Sequence, residues 1–302
     1  HPNVVNGSDL NEMTENMLYV EGSQLDEFLD GKISLKQVKS NRILLVVNAP
    51  VKNEIVNSVN AARVCLGVEI IIMELNKPLE LNAIKNEDGQ VSGRIDGWRS
   101  LVRQVRSFLL DNDGCWALAV NTPITCDLEV AKEYMQGIGG VNPWGGVEAV
   151  VSKLIAKQLQ IPVAHAPNGH VISSTYDEIV DPRMSAEMVS CCYLQCILKG
   201  LHKAPQLYDF GTSDMITNND IDFLISPAGC YGKPHKICEQ RGIPIIVVDE
   251  NKTCFNRKIP NAIHVLNYIE ATGLIQLKKI GITIESVTRP MTKVKIFRTS
   301  QV

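Results

Sequence analysis

The 302-residue sequence predicts an α/β fold, an open, mostly parallel, Rossmann-like sheet flanked by helices, with room for two lobes and a cleft between them. Three observations point there. Unbroken apolar runs of strand length recur, segments of helical periodicity alternate with them, and residues 222–248 read as one complete βαβ unit. We place the division between lobes near residue 130, with an N-terminal α/β lobe over 1–130 and a C-terminal α/β lobe over 131–302.

Residues 42–48 (RILLVVN) are apolar and β-branched, as in a strand buried on both faces. Ile55, Val59, Ala62 and Leu66 then fall on one helical face, and Gly67 can end that helix. Residues 68–74 (VEIIIME) form the next strand, because a crossover helix between parallel strands buries all three apolar surfaces together. Asp88-Gly89 marks a hairpin-type turn in a small β excursion. Trp98, Leu101, Val102, Val105, Phe108 and Leu109 restore helical spacing before a strand from Trp116 to Val120.

A helix near 127–136 precedes the glycine-rich stretch GIGGVNPWGG at 137–146, and Val147, Val150, Val151 and Leu154 begin another helix. The strand from Ile161 to Ala164 ends in a loop, His165 to His170. Met184, Met188, Cys191, Cys192 and Leu198 predict a helix ending near Gly200. DFLIS (222–226) is a strand, PAGCYGK a turn, PHKICEQRG a helix and IPIIVV (243–248) the returning strand, which runs out into Asp249-Glu250-Asn251. A helix around 262–279 and a basic tail follow.

Apolar residues make up 45% and charged residues 21% of the chain, an ordinary globular balance. The net charge of −3, with both signs interspersed, supplies no broad positive field, so no nucleic-acid partner is expected. Apolar runs fall short of the roughly 20 residues of a membrane helix, so no membrane association is expected either. Nine cysteines without a Cys-x-x-Cys pair read as reduced thiols, and with no secretory signal they place the protein in the cytoplasm. The start at His1-Pro2-Asn3 has no strand ahead of it, and we expect a further N-terminal piece there, carrying part of the sheet.

Ligands of open α/β sheets bind beyond the carboxyl ends of the strands. That rule selects segments 137–148, 165–170, 227–235 and 249–253. In the first, the glycines including Gly145 and Gly146 describe an open backbone that presents Asn142 and Trp144 beside a helix start. Glu148 is expected in the first helical turn, as a general base or hydroxyl acceptor, with an ordinary first-turn cap as the bland alternative. His165 is the matching acid/base candidate at a strand end, with Asn168 as a polar ligand, and a histidine bracing its loop is the competing explanation.

At Ser226 to Lys233, Gly229 and Gly232 would let backbone amides and a helix dipole approach an anion, with Lys233 adding charge. A tight strand-to-helix turn uses glycine anyway, and the pattern is neither a Walker A loop nor the full dinucleotide fingerprint. Asn251 joins the polar ligand set. His165 and His170 lack the spacing of a helical metal pair, so we assign no metal ligand. Arg183 and Glu187 read as a helix-start pair, Cys192 and Cys196 as core, and Cys230 as a helix-terminal thiol without a base.

Several stretches carry a family resemblance in order along nearly the whole chain. HPNVVNG at 1–7, LYVEGSQLDEFLDGKISL at 18–35, NPWGGVEA at 142–149, PVAHAPN at 162–168, DPRMSAE at 181–187, LKGLHKAP at 198–205, PAGCYGKP at 227–234 and GIPIIVVDEN at 242–251 resemble domain of unknown function 3326, a family of cyanobacteria, other bacteria and plants. The resemblance implies no activity. It implies an upstream strand with a glycine-rich turn ahead of the His-Pro-Asn segment, and it adds weight to segments 142–148 and 165–168.

The leading expectation is a transferase or hydrolase of a small anionic metabolite, phosphorylated or nucleotide-like, with Glu148 and His165 catalytic. A non-catalytic sensor or carrier comes second, and a metal-dependent hydrolase third. No cofactor is identified, since the nicotinamide fingerprint is absent. A symmetric homodimer is the general prior for such proteins.

Overall fold

The computed structural model describes residues 14–87, 91–136, 142–168, 179, 193–253 and 255–297. Its elements follow in chain order: α1 (Gly22–Leu29), β1 (Ser34–Lys36), β2 (Arg42–Asn48), α2 (Asn53–Leu66), β3 (Ile70–Leu75), β4 (Glu80–Lys85), β5 (Val91–Asp96), α3 (Trp98–Leu110), β6 (Trp116–Thr122), β7 (Ile124–Thr125), α4 (Leu128–Met135), α5 (Pro143–Leu159) and β8 (Val163–Pro167). Then come α6 (Tyr193–His202), β9 (Gln206–Tyr208), β10 (Leu224–Ala228), α7 (Lys233–Arg241), β11 (Ile245–Lys252), β12 (Ile263–Val265), α8 (Tyr268–Lys279) and α9 (Ile284–Val287). Two compact units divide the chain, residues 1–220 and 221–302.

The first unit is built on a four-stranded parallel sheet of order β3-β2-β6-β8. This is the predicted α/β fold. β2 shows why its run is apolar throughout: Ile43, Leu45 and Val47 face one layer with α2 and α6, while Leu44 and Val46 face the other with α3 and α5. Successive strands step outward from β2 to β3, then return to place β6 on β2's other side. That reversal is a topological switch point, and the carboxyl ends of β2 and β6 flank it. The sheet draws strands from both sides of residue 130, so the expected division there falls within a single layer.

The β excursion is an antiparallel pair, β4 with β5, in which Lys85 opposes Val91; the Asp88-Gly89 turn itself lies outside the described residues. β7 adds to β4 in parallel. Gly67 ends α2 in a left-handed conformation, φ 64°, as its sequence position predicts.

The second unit holds a three-stranded parallel sheet of order β10-β11-β12, with α7 crossing from β10 to β11. Two boundaries differ from the sequence reading. β11 runs on through Asp249, Glu250 and Asn251, and the helix expected over 262–279 begins only at Tyr268, because Ile263–Val265 pairs with β11. The helix expected to end near Gly200 is α6, which continues to His202; Met184, Met188, Cys191 and Cys192 lie outside the described residues.

Among the described residues no helix is long and apolar enough to cross a membrane. Among the described residues Cys65, Cys115, Cys126, Cys230 and Cys238 are free thiols.

Candidate functional site

Three side chains from three elements meet on the α5 side of the four-stranded sheet. Thr122 ends β6, His165 lies in the middle of β8, and Glu148 projects from α5. Thr122 Oγ1 lies 2.9 Å from His165 Nε2, and His165 Nδ1 lies 3.1 Å from Glu148 Oε1. In the neutral imidazole, one arrangement uses every donor. Thr122 donates its hydroxyl proton to Nε2, and Nδ1–H donates to the carboxylate. A doubly protonated ring would leave the buried Thr122 hydroxyl proton without an acceptor, which is unfavourable.

The line has an inner and an outer end. Thr122 is fully buried, the His165 side chain has no exposure, and the Glu148 side chain retains 6%. No hydrogen bond to Glu148 Oε2 is formed among the described residues; His165 engages Oε1 alone. Tyr19 donates its hydroxyl to the carbonyl of Val163 in β8, at 3.0 Å. Burial, followed by the charges of Glu21 and Glu148, pushes the Tyr19 hydroxyl well above its ordinary pKa, so it stays a donor.

Asparagines tie the strand ends beside it. Asn121 Nδ2 donates to the carbonyl of Ala166 at 3.0 Å, and Asn168 Nδ2 donates to the carbonyl of Asn121 at 3.0 Å. The backbone N–H of Asn168 donates to the carbonyl of Thr122 at 3.1 Å. Asn168 therefore braces β8 against β6.

The stretch around residue 142 is not an open loop where it is described. Asn142 caps α5, its Oδ1 accepting from the backbone N–H of Trp144 and of Gly145, both at 2.9 Å, and Pro143 occupies the first turn. Trp144 is buried edge-to-face against Tyr134, with ring centroids 6.2 Å apart. Gly145 and Gly146 are helical, and Gly146 has a packing reason: a Cβ there would lie 2.2 Å from the carbonyl oxygen of Val91 in β5. Glu148 sits in the second helical turn, so the helix dipole of the first turn does not account for it. Residues 137–141 lie outside the described residues.

Gly229, Gly232, Lys233 and Asn251 belong to the second unit and to its own sheet, whereas Trp144 and His165 belong to the first. One shared sheet edge carrying all of them is not what the topology contains. Gly229 is required by its backbone, with φ 83° and a Cβ position 1.9 Å from the carbonyl oxygen of Phe255. Gly232 caps α7, its N–H donating to His235 Nδ1 at 3.1 Å, and Lys233 is the first helical residue. Tyr231, in the same turn, donates its hydroxyl to Glu239 of α7 at 2.9 Å. Asn251 Nδ2 donates to the Tyr268 hydroxyl at 2.6 Å.

Among the described residues no group of three or more His, Cys, Asp or Glu side chains is placed to hold a metal ion. His170, Arg183 and Glu187 lie outside them. The residue that sequence reasoning missed is Thr122. Its signal was the polar pair Asn121-Thr122 directly after the apolar run of β6, at a strand's carboxyl end.

The profile of a family described as protein of unknown function (DUF3326) matches residues 1–288. An uncharacterized lipoprotein of Synechococcus sp. is 33% identical over 296 residues, covering 93% of this chain and 81% of the relative. That relative's name is a lipoprotein's, a different placement from the cytoplasmic one expected from the thiols. No solved structure matches the chain.

Proposed function

The chain belongs to the DUF3326 family, and we propose that it is an enzyme, a transferase or hydrolase of a small metabolite, in which the Glu148 carboxylate moves the proton. One observation carries this reading: the buried line Thr122–His165–Glu148 ends at a carboxylate whose side chain keeps 6% exposure, whereas Thr122 and the His165 side chain keep none. A serine-protease-like direction, with the hydroxyl as nucleophile, is disfavoured because Thr122 has no exposed surface. Glu148 Oε2 is the catalytic oxygen. His165 and Thr122 are positioning residues that hold its other oxygen in place. The location agrees, since β6 flanks the switch point where ligands of such sheets gather.

A second reading, non-catalytic binding at the same edge, is favoured by the complete burial of His165 and Thr122, as in a structural brace.

A thermal-shift panel of nucleotides, sugar phosphates and carboxylic acids, followed by NMR assays for turnover of each stabilising compound, separates the two readings. Glu148→Gln keeps an oxygen for His165 but cannot take a proton. We expect it to retain the thermal shift and lose about 10²- to 10⁴-fold in kcat. Undiminished turnover in this variant would remove Glu148 from the chemistry, and stabilising ligands that never turn over would favour the sensor.

A further inference from the structure

Ser152 lies four residues after Glu148 on the buried face of α5. It is 4% exposed, and its Oγ is a buried side-chain atom with no hydrogen-bond partner. Buried hydroxyls are nearly always satisfied, by protein or by ordered water. Glu148 lies one turn earlier on the same buried helix face, and no hydrogen bond to its Oε2 is formed among the described residues. Side chains four apart on a helix are neighbours, with Cβ atoms about 5–6 Å from one another, close enough for a water to lie between their polar ends.

We propose that Glu148 Oε2 and Ser152 Oγ hold one water molecule between them, with Ser152 as its second ligand. The water donates to the carboxylate and accepts from, or donates its second hydrogen to, the serine hydroxyl. The site deepens the proposed acid–base role of Glu148 and rests on that reading for its chemical significance, since a water in hydrogen-bond contact with a general base is where hydrolysis would begin.

The test is a crystal structure of the ligand-free full chain in which ordered waters are visible, together with Ser152→Ala in the same crystal form. Alanine is the better helix former, so the variant keeps α5 intact. The expected result is a water within hydrogen-bond distance of both Glu148 Oε2 and Ser152 Oγ in the wild type, lost in Ser152→Ala. Two results overturn it: a serine hydroxyl donating to the main-chain carbonyl of Glu148 with no bridging water, or a water that persists unchanged in the variant. Both readings are made without substrate, so they are independent of turnover in Glu148→Gln, which alone decides the acid–base role.

Discussion

Thr122 offers His165 a hydroxyl at a place where valine would fill the same volume. Thr122→Val leaves the buried Nε2 without a donor, and we expect a loss of about 1–3 kcal/mol in denaturant unfolding, with Thr122→Ser retaining most of the wild-type stability. His235 gives a second test through pH. Its Nδ1 accepts from Gly232 N–H, so Nε2 carries the proton and donates to Ser226 Oγ at 2.8 Å. Burial lowers its pKa below the ordinary 6.5, with the charge of Glu239 opposing in part. The unfolded chain therefore takes up the proton first as pH falls. The stabilising contribution is fully present above 6.5 and is lost as pH drops through the lower folded value. Urea unfolding of residues 221–302, followed by hydrogen exchange, should show that unit weakening on acidification, and His235→Gln should flatten the dependence. At this scale the sequence disclosed Glu148 and His165 as chemical candidates. It did not single out Thr122: the polar pair Asn121-Thr122 marks a strand's carboxyl end, but its imidazole partner is fixed only once β8 is laid beside β6.

Helix α5 shows what a glycine can mean inside an element. Ala is a better helix former than Gly by about 1 kcal/mol, so propensity alone favours replacing any helical glycine. Gly146→Ala should nevertheless destabilise strongly, by more than about 2 kcal/mol, because its Cβ would collide with the Val91 backbone of β5. Gly273, exposed in α8 with nothing within 4 Å of a Cβ, is the control. Gly273→Ala should raise Tm by a few degrees, about what a gain of up to 1 kcal/mol gives. Differential scanning calorimetry of the two variants distinguishes packing from propensity. The same contact explains why GIGGVNPWGG looked like an open loop: local composition signals glycine, while the strand that demands it lies some 50 residues upstream, at 91–96. His165 was placed at the end of its strand for a related reason. Pro167 suggests termination, but β8 is the last strand in the order, and an edge strand tolerates proline opposite Thr122.

At the scale of the molecule, the parallel architecture was legible because buried strands and crossover helices leave strong periodic signals. The runs read as strands at 42–48, 116–120 and 243–248 correspond to β2, β6 and β11, all of them paired. The division into units was less legible, since β6 and β8 join one sheet across residue 130 while the 221–302 segment forms its own. Which loops gather at a common edge depends on sheet order, and sheet order is a long-range property. The glycine turn at 229–232 and the His165 strand therefore looked alike in sequence but belong to different sheets. What the four-stranded sheet does assemble is a hydrogen-bonded line that begins at a β6 hydroxyl, passes through a β8 imidazole and ends at an α5 carboxylate.

The direction of that line is open to one measurement, the ¹⁵N chemical shifts and one-bond N–H couplings of the His165 ring in the intact protein at neutral pH. Protonation at Nδ1 with a bare Nε2 accepting from Thr122 is the predicted state. A ring protonated at Nε2 alone would turn both hydrogen bonds around, deprive Glu148 of its donor and contradict the assignment of its carboxylate as the held base.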